Sequence, residues 1–240
     1  MTSLVIVTGG SAGIGRALLA HAPEGASRID VSRRGCDLPG VEHVPADLAD
    51  PSGWATVADV LADRIRAAEV DRITIVLNAG VIEPIGPAGR VDADGYTRSV
   101  LLNGAAPQVL GHRLLAALVD HPAERRELVL ISSGAARTAY PGWSAYGAAK
   151  AATDHWARTV AAEQDGADRP VRVLAVAPGV VATDMQVAIR ATDAADFPNV
   201  DRFRDLHASG ELADPDDVAA RLWRRLDDPG AGPVTDLRDA

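Results

Sequence analysis

The sequence predicts an α/β fold: one doubly wound parallel sheet with helices on both faces. Three observations carry that expectation. Short apolar, β-branched runs recur at 3–8 (SLVIVT), 27–32 (SRIDVS), 72–78 (RITIVLN), 127–132 (ELVLIS) and 171–177 (VRVLAVA), each followed by a loop and then a stretch of helical periodicity. These runs are continuously apolar rather than alternating, as expected of strands covered on both faces. A glycine-rich stretch, TGGSAGIG at 8–15, joins the first strand to the first helix. Right-handed crossovers between parallel strands then give the doubly wound arrangement.

The long helices are expected at about 13–22, 51–68, 94–119, 144–165 and 215–227, from Ala/Leu/Val periodicity and from starts such as Asp50-Pro51-Ser52 and Asp214-Pro215. The segment 186–212 is the least regular, and reads either as a flexible lid or as a plain surface helix pair. No composition break marks a linker, so residues 1–240 are expected to form a single domain of the Rossmann type. A hydrophobic fraction of 47% with 24% charged residues suits a globular chain. The formal charge of −9 argues against nucleic acid or an anionic membrane as partner, since both need a basic field. The lone Cys36 has no internal disulfide partner, and MTSLVIVTGG enters a strand without a charged leader, so the expected location is cytoplasmic. No apolar stretch approaches the roughly 18 residues that span a bilayer. The six histidines, at 21, 43, 112, 121, 155 and 207, show none of the spacings of metal sites, so no metal is expected.

Glycines in a strand-to-helix turn let the backbone approach a pyrophosphate, while the helix starting near Gly13 presents free N–H groups and a positive dipole end. The loop around Gly9, Ser11, Gly13, Ile14 and Gly15 is therefore suited to a dinucleotide, although such turns also need glycine for geometry alone. The second strand ends in DVSRR. An acidic residue at this tip would accept from a ribose 2′-OH, whereas arginine accommodates a 2′-phosphate. Asp30 falls two residues early and should point with Ser32, below the tip, while Arg33 and Arg34 follow it. The reading is NADP(H) rather than NAD(H). The competing reading is that the two arginines merely solvate a loop.

The chain contains a single lysine, Lys150, in SAYGAAK; its 23 other basic residues are arginines. On a helix, Tyr146 and Lys150 stand at i and i+4, about 6 Å apart along one face. A phenol of ordinary pKa, about 10, is a poor acid–base catalyst at neutral pH, and an adjacent positive charge favours its phenolate. Arginine would supply charge, but not a compact ammonium able to reach ribose hydroxyls and pass a proton on. Ser133 lies 13 residues before Tyr146 at a strand tip, where open α/β sheets bind ligands and where its hydroxyl can donate to a carbonyl oxygen.

Taken together, T8-G-G-S-A-G-I-G15, Asp47 in PADLAD, N78-A-G80, Asn103, Ser133, Y146-G-A-A-K150 and P178-G-V-V-A-T-D-M185 resemble the short-chain dehydrogenase/reductase family over nearly the whole chain. The resemblance implies Tyr146 as general acid, Lys150 as its pKa tuner and ribose ligand, Ser133 as carbonyl orienter and Asn103 as anchor of a proton-relay water. It also implies that Asp47, with Leu48 beside it, touches the adenine and that Thr183 meets the nicotinamide amide. Asn78, Ala79, Gly80, Pro178, Gly179 and Val181 would complete the cofactor contacts. One departure is LNAG in place of the common N-N-A-G.

Within the family, NAGVIEPIGPAG, PGWSAYGAAKAATD and VATDMQVAIR look most like sepiapterin reductases and the bacterial reductases of aromatic α-diketones such as benzil. A carboxylate near the C-terminus anchors the pterin in sepiapterin reductases. Asp236 stands at the matching place, with Asp239 close by; the alternative for Asp236 is a plain edge-strand charge. Tyr140, Trp143, Met185 and Phe197 are expected to form an aromatic-accepting pocket. The implied function is NADPH-dependent reduction of a small-molecule ketone or vicinal diketone, aromatic or pterin-like, by a homodimer or homotetramer. The alternative is a redox sensor that binds the dinucleotide without turnover.

Overall fold

A computed structural model, which describes residues 1–228, 230 and 232–238, places seven strands in one sheet in the order β3-β2-β1-β4-β5-β6-β7. The strands are β1 (Ser3–Thr8), β2 (Ser27–Ser32), β3 (Val41–Pro45), β4 (Arg72–Leu77), β5 (Arg125–Ile131), β6 (Arg172–Ala177) and β7 (Val234–Asp236). Every pairing is parallel. The helices are α1 (Gly13–Ala20), α2 (Trp54–Ala67), α3 (Ala93–Val100), α4 (Ala106–Asp120), α5 (Ser144–Gln164), α6 (Asp184–Ala191), α7 (Val200–Ala208) and α8 (Pro215–Asp227).

Strand alternation sorts the core into two layers. In β1, Leu4 and Ile6 join the layer formed with α2, α4 and α5, through Leu61, Leu114 and Ala157. Val5 and Val7 face the other layer, with Leu18 of α1 and Leu222 of α8. The order reverses between β1 and β4, and such a switch point opens a crevice at the carboxyl ends of the strands.

Three features depart from the sequence expectations. β3 was not foreseen: Val44 is its one buried residue, so this edge strand has no apolar run. The expected helix over 94–119 is interrupted by a π-helical turn, Leu101–Ala105. Pro107 has no N–H, so the carbonyl of Asn103 loses its α-helical donor, and the helix takes up a wider turn there. The segment 186–212 contains a helix pair, but not a plain surface one. Ile189, Phe197, Val200 and Phe203 are buried in a third apolar cluster with Ile82, Trp143 and Tyr146. Among the described residues, no helix is long and apolar enough to cross a membrane.

Candidate active site

The crevice is a cleft of about 1170 Å³ running from the glycine loop to the aromatic cluster. At the loop end the backbone sets the shape. Gly9 (φ +72°) and Gly13 (φ +52°) adopt left-handed conformations that glycine accepts without strain. A Cβ on Gly15 would lie 2.2 Å from the carbonyl oxygen of Gly9, so α1 packs directly under the turn. Gly9, Ser11, Gly13 and Ile14 line the cleft; Gly15 sits behind them and makes the approach possible.

Asp30 is fully buried, and its Oδ1 accepts from the Gly10 N–H at 2.8 Å while Oδ2 accepts from Ser32 Oγ at 2.7 Å. It thus braces the loop from below, as its position below the strand tip suggested, and is not on the cleft wall. Arg33 and Arg34 are exposed and line the cleft. Asn78 donates through Nδ2 to the Thr8 carbonyl at 3.0 Å, and the N–H groups of Asn78 and Ala79 both donate to Thr8 Oγ1. These bonds tie the tips of β1 and β4 together. Asn78, Ala79 and Gly80 line the cleft, as do Pro178, Gly179 and Val181. Thr183 also lines it, and a Cβ on Gly13 would come within 3.1 Å of the Thr183 methyl. Asp47 and Leu48 line the cleft, and Asp47 Oδ2 accepts from Arg98 at 2.9 Å, which holds this carboxyl below its ordinary range.

Helix α5 carries Tyr146 and Lys150 into the middle of the cleft, both buried. Burial pushes the Tyr146 phenol above its ordinary value, and a hydrogen bond with the Ser133 hydroxyl offsets this in part. Lys150 Nζ lies 5.6 Å from the Tyr146 ring centroid and donates to the Ile131 carbonyl at 2.8 Å. Burial pushes Lys150 down to about 8, against the opposing charge of Asp154 one turn further along the helix. Asp154 in turn accepts a hydrogen bond from Ser132 Oγ. The sequence expectation that Lys150 draws the Tyr146 pKa downward therefore differs from the geometry: the ammonium sits over the ring, tied to β5, and desolvation of the phenolate dominates. Ser133 follows the tip of β5, and its Oγ accepts from the Ala135 N–H at 3.2 Å, which leaves its own proton to donate.

Asn103 is fully buried and does not line the cleft. Its Oδ1 accepts from the Val81 N–H at 2.9 Å, and its Nδ2 donates to the Val81 carbonyl at 2.8 Å and to Ser99 Oγ at 3.1 Å. The side chain thus clamps the segment after β4, and a Cβ on Gly80 would lie 2.8 Å from Asn103 Oδ1.

At the far end, Tyr140, Trp143 and Met185 line the cleft as expected. Phe197 does not: it is fully buried and stacks behind Trp143, with ring centroids 4.6 Å apart and planes 11° from parallel. Asp236 requires a correction as well. It is buried, absent from the cleft wall, and held below its ordinary range by Arg238, which approaches both of its oxygens, at 2.9 and 2.6 Å; Arg137 adds a contact at 3.2 Å. The Arg238 backbone N–H also donates to Oδ1, at 3.0 Å, so the carboxylate's lone pairs are all taken within the protein and none is directed at a substrate. Asp239 lies outside the described residues. Sequence reasoning missed Arg16, Arg98, Gln186, Arg202 and Arg238, all on the cleft wall. Arg16 directly follows the glycine loop and was the one with a local signal. The buried Trp143 Nε1 and Gln186 Oε1 have no protein partner among the described residues.

The sequence profile described as short chain dehydrogenase matches residues 3–194. The chain belongs to the short-chain dehydrogenase family. It is thus an oxidoreductase, of a family that binds a nicotinamide dinucleotide. The chain is 32% identical over 232 residues to benzil reductase ((S)-benzoin forming) of Bacillus subtilis (strain 168), covering 93% of both proteins. It is also 31% identical over 244 residues to sepiapterin reductase of Bos taurus, covering 93% of this chain and 89% of the relative. Among solved structures, a short chain dehydrogenase/reductase from Saccharomyces cerevisiae superposes with a TM-score of 0.82 at 26% identity, covering 99% of this chain and 96% of that one. A candidate NAD(P)-dependent gluconate 5-dehydrogenase from Beutenbergia cavernae, with NADP bound at low occupancy, gives 0.77 at 29% identity, covering 98% and 94%. As a short-chain dehydrogenase, the chain has its glycine loop and its Ser133, Tyr146 and Lys150 on one continuous cleft wall.

Proposed function

We propose that this short-chain dehydrogenase is an NADPH-dependent carbonyl reductase acting on an aryl ketone or vicinal diketone, with Tyr146 as general acid. One observation carries the reading: Ser133, Tyr146 and Lys150 share a cleft whose other end is the glycine loop with Arg33 and Arg34. The residues present fit a dinucleotide, because the left-handed glycines and the missing Cβ atoms leave a backbone cradle at the start of α1. Gly9, Ser11, Gly13 and Ile14 would hold the pyrophosphate, Asp47 and Leu48 the adenine, and Asn78 to Gly80, Val181 and Thr183 the rest.

NADPH is preferred over NADH on charge. Asp30 is committed to the loop, and the cleft-lining Ser32 is followed by two exposed arginines that complement a 2′-phosphate. The neighbouring structure with bound NADP supports the same choice.

Bound NADPH supplies the hydride. Ser133, which accepts from Ala135, donates a hydrogen bond to the substrate carbonyl oxygen and fixes its orientation, keeping its own proton throughout. The Tyr146 phenol, raised by burial, stays protonated at neutral pH and gives its proton to that oxygen as negative charge develops. Lys150, pushed down to about 8, can return a proton to the phenolate at neutral pH, which a guanidinium holds too tightly to do. The Asn103 side chain is spent on Val81 and Ser99, so its part falls to the backbone carbonyl, which Pro107 leaves without an α-helical donor and which can hold the relay water. Assembly as a homodimer or homotetramer belongs to the same proposal.

The test is NADPH absorbance decay with a panel of ketones, aryl ketones and vicinal diketones. The expected result is faster reduction of aryl diketones than of simple ketones, and faster reduction with NADPH than with NADH. Dinucleotide binding without consumption across the panel would instead indicate a sensor.

A further inference from the structure

We propose that the carbonyl substrate carries an anionic group, a carboxylate or its equivalent, recognised jointly by Arg202 and Tyr140. The inference rests on the carbonyl-reductase reading and specifies its substrate class.

Arg202 projects from α7 and lines the cleft together with Tyr140 and Phe203. Its Nη1 donates to the Tyr140 hydroxyl oxygen at 2.8 Å, and its guanidinium carbon lies 5.8 Å from the Phe203 ring centroid. The other cleft-lining arginines away from the second strand tip are matched to carboxylates: Arg16 to Asp37, Arg98 to Asp47, and Arg238 to Asp236. Among the described residues, Arg202 has no such partner.

The hydrogen bond also decides what Tyr140 can do. By accepting from Arg202, the phenol keeps its own proton for another acceptor, and none is supplied by the described residues. Arg202 and Tyr140 therefore present donors only. Such a pair suits a group that is acceptor-only and negatively charged, and it disfavours a cationic or donor-rich one.

The position of the pair fits recognition of the substrate rather than the cofactor. Tyr140 is 4.9 Å from Trp143 between ring centroids, and Trp143 is 5.9 Å from Tyr146, so an unbroken row of rings leads from the donor pair to the acid. Contacts with Phe197 and Phe203 hold the Tyr140 ring from behind. A substrate with an aryl body and an anionic end, its carbonyl near Ser133 and Tyr146, would lie along that row. The chain's net charge of −9 repels anions at long range, so an anionic substrate requires a local cation of this kind.

A matched pair of probes tests the proposal: 4-acetylbenzoate, an aryl ketone whose carboxylate stands across the ring from the carbonyl, and its neutral methyl ester. With Arg202→Met, kcat/KM for the acid should fall about 10- to 100-fold, the range of a charge-assisted contact, while the ester changes less than about threefold. Arg202→Lys should recover part of the loss, and Tyr140→Phe should lower the acid-to-ester ratio by a smaller factor. An acid-to-ester ratio that does not move in Arg202→Met overturns the proposal.

A binding measurement separates this outcome from failure of the carbonyl-reductase reading. Phenylacetate and phenylacetamide are titrated by calorimetry into the full chain, with and without NADP+. Tighter binding of the carboxylate, lost selectively in Arg202→Met, supports the anion site even if no carbonyl is reduced. Equal binding of the two probes, or no binding of phenylacetate, sinks the proposal whatever the reductase assay gives.

Discussion

The two ends of the cleft are built in opposite ways. At the glycine loop, the polar side chains that shape the turn are spent within the protein: Asp30 on Gly10 and Ser32, Thr8 Oγ1 on two backbone N–H groups, Asn78 on the Thr8 carbonyl. At the aromatic end, capacity is left over: the Tyr140 proton, the remaining Arg202 donors, and the buried Trp143 Nε1 and Gln186 Oε1, without partners among the described residues. A fixed cofactor can be met by a backbone cradle that is complete before binding. A variable substrate is met by side chains that keep hydrogen-bonding groups in reserve, and these groups carry a cost until they are satisfied.

If the loop end is backbone-built, its glycines should tolerate nothing larger. Gly15→Ala places a Cβ 2.2 Å from the Gly9 carbonyl oxygen, where only movement of the backbone relieves the clash. We expect a stability loss of about 3 kcal/mol, the upper end for an overpacked site, read by denaturant unfolding, with dinucleotide binding abolished. Near wild-type values for both would mean that the loop backbone yields to a Cβ at this position.

The middle of the cleft links the two ends through its titrating groups. Lys150 drops from its ordinary 10.5 to about 8 on burial, so the folded protein releases this proton at lower pH than the unfolded chain. The stability associated with Lys150 is accordingly least below about pH 8 and grows as pH climbs toward 10.5. Tyr146 acts in the other direction, being raised from 10.0, and its contribution is lost only above that value. The unfolding free energy of wild type relative to Lys150→Met should therefore be flat up to pH 7 and increase by about 2 kcal/mol between pH 8 and 10. A difference that stays flat to pH 10 would mean that the buried ammonium keeps its charge.

The smallest effect concerns the exposed arginines, where solvent weakens each contact. Arg33→Ala should raise the Michaelis constant for NADPH about tenfold and leave that for NADH nearly unchanged. Equal changes for both cofactors would reduce Arg33 to a solvated loop residue.

The same contrast explains what the sequence made legible. The glycine loop, the NAG turn and SAYGAAK are local: their residues meet through helix and turn geometry within a few positions. The five apolar strands were visible because burial on both faces leaves continuous apolar runs, whereas β3, with Val44 as its one buried residue, left no such trace. The π-turn at Asn103 needed the consequence of Pro107 drawn four residues on. Phe197 and Asp236 were misplaced because direction, not position, decides their role: one stacks behind Trp143 and the other turns to Arg238 and Arg137. Arg202 joins Tyr140 from 62 residues away, across a helix pair whose packing no short-range pattern records.

Proton donation by Tyr146 takes place at the junction of the two ends, and the proposed reduction depends on it. Tyr146→Phe removes the hydroxyl and keeps the ring against Trp143, so the direct measurement is the single-turnover rate of an aryl diketone with NADPH, alongside NADPH affinity by fluorescence. Unchanged affinity with a rate at least about 10²-fold lower is the predicted result. A rate within a few-fold of wild type would contradict it and move the acid elsewhere in the cleft.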